Sequence, residues 1–274
     1  MLDVLRLVRA HNLLVAAAGV LAGGWIALGR VATPSVLVLA AVAAVGFGAA
    51  GNALNDLYDH AADRINRPGG ERPLATGRVT AGTAHLCIAT GILVGLASAA
   101  LVSGTAVLVG AAALGVLAVY SPVLKSRGLP GNVAIALVAG LPLEYGAIAV
   151  AHAAAGIVPW FLAAWIHLVR EIVKDVDDQA GDRALGRRTL PLVLGSRRAT
   201  VIAAVLAAAF VPLSLALPAW AHYSTAYFLI ALFAQLVVLA VASRLFAGRL
   251  QGNSRLLKGA MLVGIVALVA GRVA

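Results

Sequence analysis

The sequence predicts an all-α, polytopic membrane protein: a helical bundle of nine transmembrane helices around a central cavity, N-terminus in and C-terminus out. Three observations predict it. Of 274 residues, 62% are hydrophobic and 12% charged, with a mean hydropathy of +0.97, whereas soluble domains carry roughly 45–50% apolar and about 25% charged residues. The apolar residues form continuous runs close to the ~20 residues that cross a bilayer as a helix, not the alternating segments of a membrane barrel. The basic residues gather on alternate loops. Disorder, a coiled coil and an ordinary soluble enzyme are excluded. The single cysteine, Cys87, rules out a disulfide framework and a cysteine-based metal site.

Taken in order, the spans cover residues 11–29, 34–55, 81–102, 104–120, 130–151, 156–175, 199–217, 221–246 and 255–273, each delimited by charges, Pro or Gly. The first lacks a small-residue cleavage site and is followed by eight more, so it reads as a span and not a signal peptide. Little more than Ser103-Gly104 separates the third from the fourth. With the N-terminus in the cytoplasm, 19 of the 21 Lys and Arg residues fall inside and only Arg30 and Arg272 outside, as the positive-inside rule requires. That asymmetry explains most of the net charge of +10 without any nucleic-acid partner. Trp25, Trp160 and Trp220 fall near the outer ends, as an interfacial belt would have them. Glycines inside spans, such as Gly46, Gly48 and Gly51, allow close helix approach. Residues 1–274 read as one domain, with a hint of a diverged repeat relating spans 1–4 to spans 5–8.

Seven of the 11 acidic residues form two clusters. Asp56, Asp59 and Asp63 end the second span; Asp175, Asp177, Asp178 and Asp182 end the sixth. Both spans run inward, so both clusters face the cytoplasm. If the second span stays helical past its apolar part, Asn55, Asp59 and Asp63 share one face with Asp56 beside them. On the same logic Asp175, Asp178 and Asp182 form one stripe, and Asp177 points elsewhere. Stacked carboxylates repel unless a cation lies between them, and all-oxygen ligation favours Mg²⁺. Asn55, Asp56, Asp59, Asp63, Asp175, Asp178 and Asp182 are therefore the candidate metal ligands. Among the cations interleaved with them, Arg67, Arg72, Lys125, Arg170 and Lys174 turn a cation site into a site for metal-bound diphosphate, whose oxygens take Mg²⁺ on one side and guanidinium forks on the other.

These residues carry a resemblance. Asn55-Asp56-Leu57-Tyr58-Asp59-His60-Ala61-Ala62-Asp63 and Asp178-Gln179-Ala180-Gly181-Asp182 resemble the two signatures of the UbiA superfamily of intramembrane prenyltransferases. Arg64-Ile65-Asn66-Arg67-Pro68, Arg72-Pro73-Leu74 and Arg188-Thr189-Leu190-Pro191 fit as well. Lys174-Asp175-Val176-Asp177-Asp178, Tyr120-Ser121-Pro122 and Gly140-Leu141-Pro142 look most like the archaeal digeranylgeranylglyceryl phosphate synthase branch. The chain departs from the family pattern where Gly69-Gly70-Glu71 separates Pro68 from Arg72, and where Thr76-Gly77 replaces Ser-Gly. The resemblance implies that Mg²⁺ held by Asn55, Asp59, Asp63, Asp178 and Asp182 neutralises the diphosphate of an allylic prenyl donor, while Arg67, Arg72 and Lys125 bind its other oxygens. Asp59, Asp63, Asp178 and Asp182 are then the catalytic residues. The implied partners are membrane lipid, a prenyl diphosphate donor (geranylgeranyl in this branch) and a lipid-phosphate acceptor, geranylgeranylglyceryl phosphate. A C20 chain gains on the order of 16 kcal/mol from burial at roughly 0.8 per methylene, so such a substrate resides in lipid.

Weaker candidates remain. Glu144 is the one acid well inside a span, beside Tyr145, and intramembrane acids are functional by default. Tyr120 and Tyr145 offer ring faces to a carbocation. Arg9, His11 and Asn12 open the first span on the catalytic side, where they could hold the acceptor's anion. His60, His85, His152, His167 and His222 lack metal-ligand spacing and read as packing residues. Three rival functions stand beside the prenyltransferase: an aromatic-acid prenyltransferase of the 4-hydroxybenzoate type, a cation or phosphate transporter, and a non-catalytic scaffold. Spans three, seven and nine carry almost no polar residues through the bilayer midplane, which disfavours a transporter. A scaffold gives the clustered aspartates no role.

Overall fold

The computed structural model describes residues 1–67, 69–70 and 72–273. Its α-helices are α1 (Leu2–Leu7), α2 (Ala10–Leu28), α3 (Ser35–Asn66), α4 (Ala81–Ala100), α5 (Gly104–Tyr120), α6 (Leu129–Gly140), α7 (Pro142–Ala149), α8 (Ala153–Asp177), α9 (Gln179–Ala184), α10 (Leu190–Leu194), α11 (Ser196–Trp220), α12 (Thr225–Phe246) and α13 (Asn253–Ala270). A 3₁₀ turn, Leu124–Arg127, joins α5 to α6. Seven of them, α2, α3, α4, α8, α11, α12 and α13, are long and apolar enough to cross a membrane. The α6–α7 pair, bent by 44°, makes an eighth when counted as one broken span. The predicted fourth span is α5, an apolar helix of 17 residues. The protein is thus a multi-pass membrane bundle, with seven or eight spans by length and composition in place of nine uniform ones.

Local chemistry explains the boundaries. Thr80 caps α4 by accepting the Thr83 amide at 3.2 Å, and Ser103 caps α5 by accepting that of Ala106 at 3.1 Å, each satisfying an orphan donor of the first turn. The bend between α6 and α7 falls at Leu141-Pro142, where proline lacks an amide and its ring crowds the preceding turn. Pro159 in α8 and Pro212 and Pro218 in α11 leave those helices unbroken. The 32 residues of α3 extend about 48 Å at 1.5 Å per residue, well beyond the ~30 Å of a hydrocarbon core. Its last turns therefore continue past the apolar part, and they carry the first acidic cluster.

With apolar side chains on both the lipid and the core sides, helices gain little by separating apolar from polar surface. Close packing has to come from small residues. A Cβ on Gly46 of α3 would lie 2.7 Å from the Gly91 carbonyl oxygen of α4. The contact between α2 and α7 is tighter: a Cβ on Gly23 would fall on the Leu143 carbonyl, and one on Gly146 on the Val20 carbonyl. Other large apolar residues point outward, with Leu14, Leu93 and Leu108 each at least 70% exposed, a surface that suits acyl chains. Gly146→Val should force α7 off α2 at a cost of about 1–3 kcal/mol or more. The check is thermal unfolding in detergent, with a lowered apparent Tm expected and an unchanged one contradicting the packing described.

Candidate functional site

The two acidic clusters come together at one end of the bundle. On α3, Asp56, Asp59 and Asp63 are all buried. The second cluster differs from the expected single stripe. Helix α8 stops at Asp177, Asp178 leaves helical geometry at φ −93°, ψ 6°, and α9 restarts at Gln179. Asp175, Asp178 and Asp182 thus sit on three separate pieces of backbone. Asn66, the last residue of α3, ties these pieces down: its amide donates to the Asp178 carbonyl at 3.1 Å, and its oxygen accepts the Gly181 amide at 2.8 Å. Gly181 permits this approach, because a Cβ there would lie 2.6 Å from the Ala62 carbonyl oxygen.

Three cations then bridge the clusters. Lys125, on the 3₁₀ turn, lies 3.4 Å from Asp59 and 3.1 Å from Asp182. Arg187 grips the same two carboxylates, donating to Asp182 at 2.9 Å and pairing closely with Asp59. Arg67 pairs with Asp63 and donates to both oxygens of Asp178, at 2.9 and 3.0 Å. Burial alone would lower the Lys125 ammonium, but Asp59 and Asp182 outweigh it and hold the group above the usual lysine range. Arg67 is likewise raised: burial opposes its charge, and Asp178 and Asp63 override that. Arg72 is pushed below the usual guanidinium range by its burial and by Arg9. It lies 3.5 Å from both Asp56 and Asp63, yet its Nε has no hydrogen-bond partner. Arg72 therefore reaches the cluster from beyond the departure from the family pattern; Pro68 before it and Glu71 within it lie outside the described residues.

This end opens into a cavity of about 1000 Å³. Of the predicted residues, Asn55, Asp59, Asp63, Arg67, Arg72, Tyr120, Lys125, Arg170, Lys174, Asp175 and Asp178 line it, as do Arg9, His11, Asn12 and Tyr145. Several expectations are corrected. Asp177, the last residue of α8, also lines the cavity. Asp56 and Asp182 do not line it: they are 1% and 0% exposed, and each keeps one carboxylate oxygen without a partner. Asp56 is taken by Arg9 at 2.5 Å, and Arg9 also donates to Asn55 at 2.6 Å. Asp175 accepts from Asn132 at 2.9 Å. Glu144 faces Gly156 of α8, off the cavity wall, with Oε2 unpartnered. The Tyr145 hydroxyl is committed to the Ala106 carbonyl at 3.0 Å. His167, read as a packing residue, lines the cavity with Nδ1 buried and unpartnered.

Arg187 and Asn66 were not singled out by the sequence. Arg187 is one of seven cations around one loop, and only its contacts distinguish it; Asn66 carries no charge to draw notice. Ser121, which accepts from Asn55 at 2.6 Å, is a third such residue. Among the described residues, no group of three His, Cys, Asp or Glu side chains is gathered as a preformed metal cage. The carboxylates face cations instead.

Comparison with known proteins identifies the family. The UbiA prenyltransferase family matches residues 16–265. The chain belongs to the UbiA prenyltransferase family. Similar UbiA-family relatives include the digeranylgeranylglyceryl phosphate synthases of Halobacterium salinarum, 37% identical over 97% of this chain and 95% of that protein, and of Natronomonas pharaonis, 38% identical over 95% and 93%. That of Methanopyrus kandleri is 35% identical over 97% of both. Among solved structures, one concerned with digeranylgeranylglyceryl phosphate synthase in membranes superposes with a TM-score of 0.78 at 24% identity, covering 99% of this chain and 98% of the other. A UbiA homologue from Archaeoglobus fulgidus bound to GPP and Mg²⁺ gives a TM-score of 0.68 at 20% identity, covering 98% of both chains. At these identities the solved structures establish the shared UbiA fold.

If Arg187 holds the two clusters together, Arg187→Met leaves Asp59 and Asp182 underpaired in a buried site and should cost about 3–5 kcal/mol. The apparent Tm of the purified protein checks this. Asp182→Asn in the Arg187→Met background should recover part of the loss, as expected for a directly coupled pair.

Proposed function

We propose that this chain transfers a geranylgeranyl group from its diphosphate to geranylgeranylglyceryl phosphate, the ether-forming step of archaeal-type lipid synthesis. The observation that carries the reading is the meeting of the α3 and α8–α9 acids across Lys125, Arg187 and Arg67 at the mouth of an apolar cavity. The full-length similarity to synthases of that name supports it. Magnesium fits the donor set. Asn55, Asp59, Asp63, Asp178 and Asp182 offer oxygen alone, and Asp182 keeps a buried oxygen with no partner. Asp56, off the cavity wall, is held by Arg9, and Asp175, on the wall, is held by Asn132. When bound, the ion would neutralise diphosphate charge and favour its departure.

The chain's own residues do the rest. Arg67, Arg72 and Lys125 exchange their carboxylate partners for diphosphate oxygens and stabilise the negative charge that grows as the carbon–oxygen bond breaks. Arg72 is best placed for this, since it already has an unpaired donor. Apolar walls from α2, α3, α5 and α8 keep water from the allylic cation. Tyr120, which lines the cavity beside the aspartates, presents its ring to that cation. The acceptor hydroxyl attacks the allylic carbon, forming the ether and releasing diphosphate and a proton.

The 19-to-2 distribution of Lys and Arg supports a cytoplasmic mouth. Counting α5 and the bent α6–α7 pair as crossings gives nine spans over a single domain. The test is a nanodisc assay with Mg²⁺ and geranylgeranyl diphosphate, offering geranylgeranylglyceryl phosphate and 4-hydroxybenzoate separately. Product is expected with the first, and product with the second alone overturns the choice of acceptor. Asp59→Asn and Asp178→Asn should each lower kcat by about 10²-fold or more with the helical circular dichroism retained, and chelation of divalent ions should abolish turnover. Wild-type rates in both variants would remove the aspartates from the chemistry.

A further inference from the structure

A second group of cations lines the same cavity. Lys258, near the start of α13, makes no ion pair among the described residues; its hydrogen-bond partner is Asn12 Oδ1 at 3.5 Å. Arg170 and Lys174, from the last turns of α8, share one acid, Glu171, at 3.2 and 2.7 Å. The Arg170 Nε is buried with no partner. All three cations line the cavity together with His11. Lys258 lies in the field of Arg170, Lys174, Arg9 and Arg72, and His11 in that of Lys258, Arg9, Arg72 and Arg170.

Like charges gathered in a half-buried mouth repel unless an anion sits among them. Counted by direct ion pairs, Lys258, Arg170 and Lys174 against Glu171 leave a surplus of two positive charges, which matches the roughly −1.5 to −2 of a phosphate monoester at neutral pH. Arg67, Lys125 and Arg187, by contrast, are each paired with two aspartates. The wall beneath Lys258 completes the match. Met261, Ile265 and Leu268 follow it on α13 at i+3, i+7 and i+10, all lining the cavity, an apolar rail about 15 Å long at 1.5 Å per residue. Leu162 and Ile166 of α8 line the same cavity. An ammonium at the top of an apolar rail suits an amphiphile with an anionic head and a long tail.

We propose that Lys258, with Arg170 and Lys174, binds the phosphate monoester headgroup of the lipid acceptor, its tail lying along α13, in a subsite distinct from that of the diphosphate. The assignment rests on the reaction proposed above and moves Arg170 and Lys174 from the donor to the acceptor. Lys258 is a binding residue in this scheme and touches no reacting atom.

The experiment compares wild type, Lys258→Met and Lys258→Arg in phosphatidylcholine nanodiscs, varying donor and acceptor in turn. Lys258→Met should raise KM for geranylgeranylglyceryl phosphate by about tenfold or more while the KM for the diphosphate donor stays within about twofold. Lys258→Arg should restore most of the loss. With the phosphate-free alcohol geranylgeranylglycerol as acceptor, wild type and Lys258→Met should perform alike. An unchanged acceptor KM, or an equal rise in donor KM, overturns the subsite. Adding phosphatidylglycerol to the discs should leave the acceptor KM unchanged; a competitive rise assigns these cations to bulk anionic lipid and also overturns it. If wild type makes no product at all, the reaction is wrong, and the subsite is judged by binding alone. The phosphorylated lipid should then raise the apparent Tm of wild type but not of Lys258→Met, and equal shifts refute it.

Discussion

Charge compensation across a buried contact is the constraint on which this structure depends. Asp56, Asp59, Asp63, Asp175 and Asp182 are nearly inaccessible, and a carboxylate taken out of water is costly unless it is paired. Each is answered by a cation or an amide: Arg9, Lys125, Arg187, Arg67 or Asn132. Because Lys125 and Arg187 each hold Asp59 and Asp182 together, no single element of the site can shift alone. Helix α3, the 3₁₀ turn after α5 and the segment after α8 are locked by the same contacts.

The remainder of the bundle serves to deliver these elements. Helix α3 packs on α4 through Gly46 and Gly91, and α2 on α7 through Gly23 and Gly146, bringing backbones into contact where bulky side chains would hold them apart. Elsewhere the core is filled by large apolar side chains such as Leu37, Ile172, Leu245 and Leu257. The bend at Pro142 turns α7 against α2 and places Tyr145 on the cavity. Polar chemistry at one end and an apolar chamber behind it suit a substrate with a charged head and a hydrocarbon tail.

Much of this was legible in the sequence, for identifiable reasons. Span positions follow from hydropathy, which lipid enforces strictly, so α2, α8 and α12 lie close to where composition put them. The convergence of the two acidic clusters followed from parity and helical spacing on α3. What could not be read was the break at Asp178, because Asp175, Asp178 and Asp182 fit a helical period equally well whether or not the helix continues. That break redirects the chain after Asp177 and sets Asp182, on α9, against Lys125. Nor could spacing identify Arg187 or Asn66, whose bridging contacts reach residues more than 100 positions away in the chain. Glu144 was conspicuous by composition, yet Gly156 gives it space off the cavity wall.

The length of α3 carries one further consequence. Its apolar stretch matches the hydrocarbon thickness, and the charged overhang that follows stands clear of it. The helix is therefore a depth gauge. A thicker bilayer would have to thin locally, or the helix stand more upright, to keep the aspartates out of hydrocarbon, whereas a thinner one would be met by tilt. The geometry of such a bundle is tied to the mechanical state of the membrane around it, and the surrounding lipid sets the depth at which its acidic end lies.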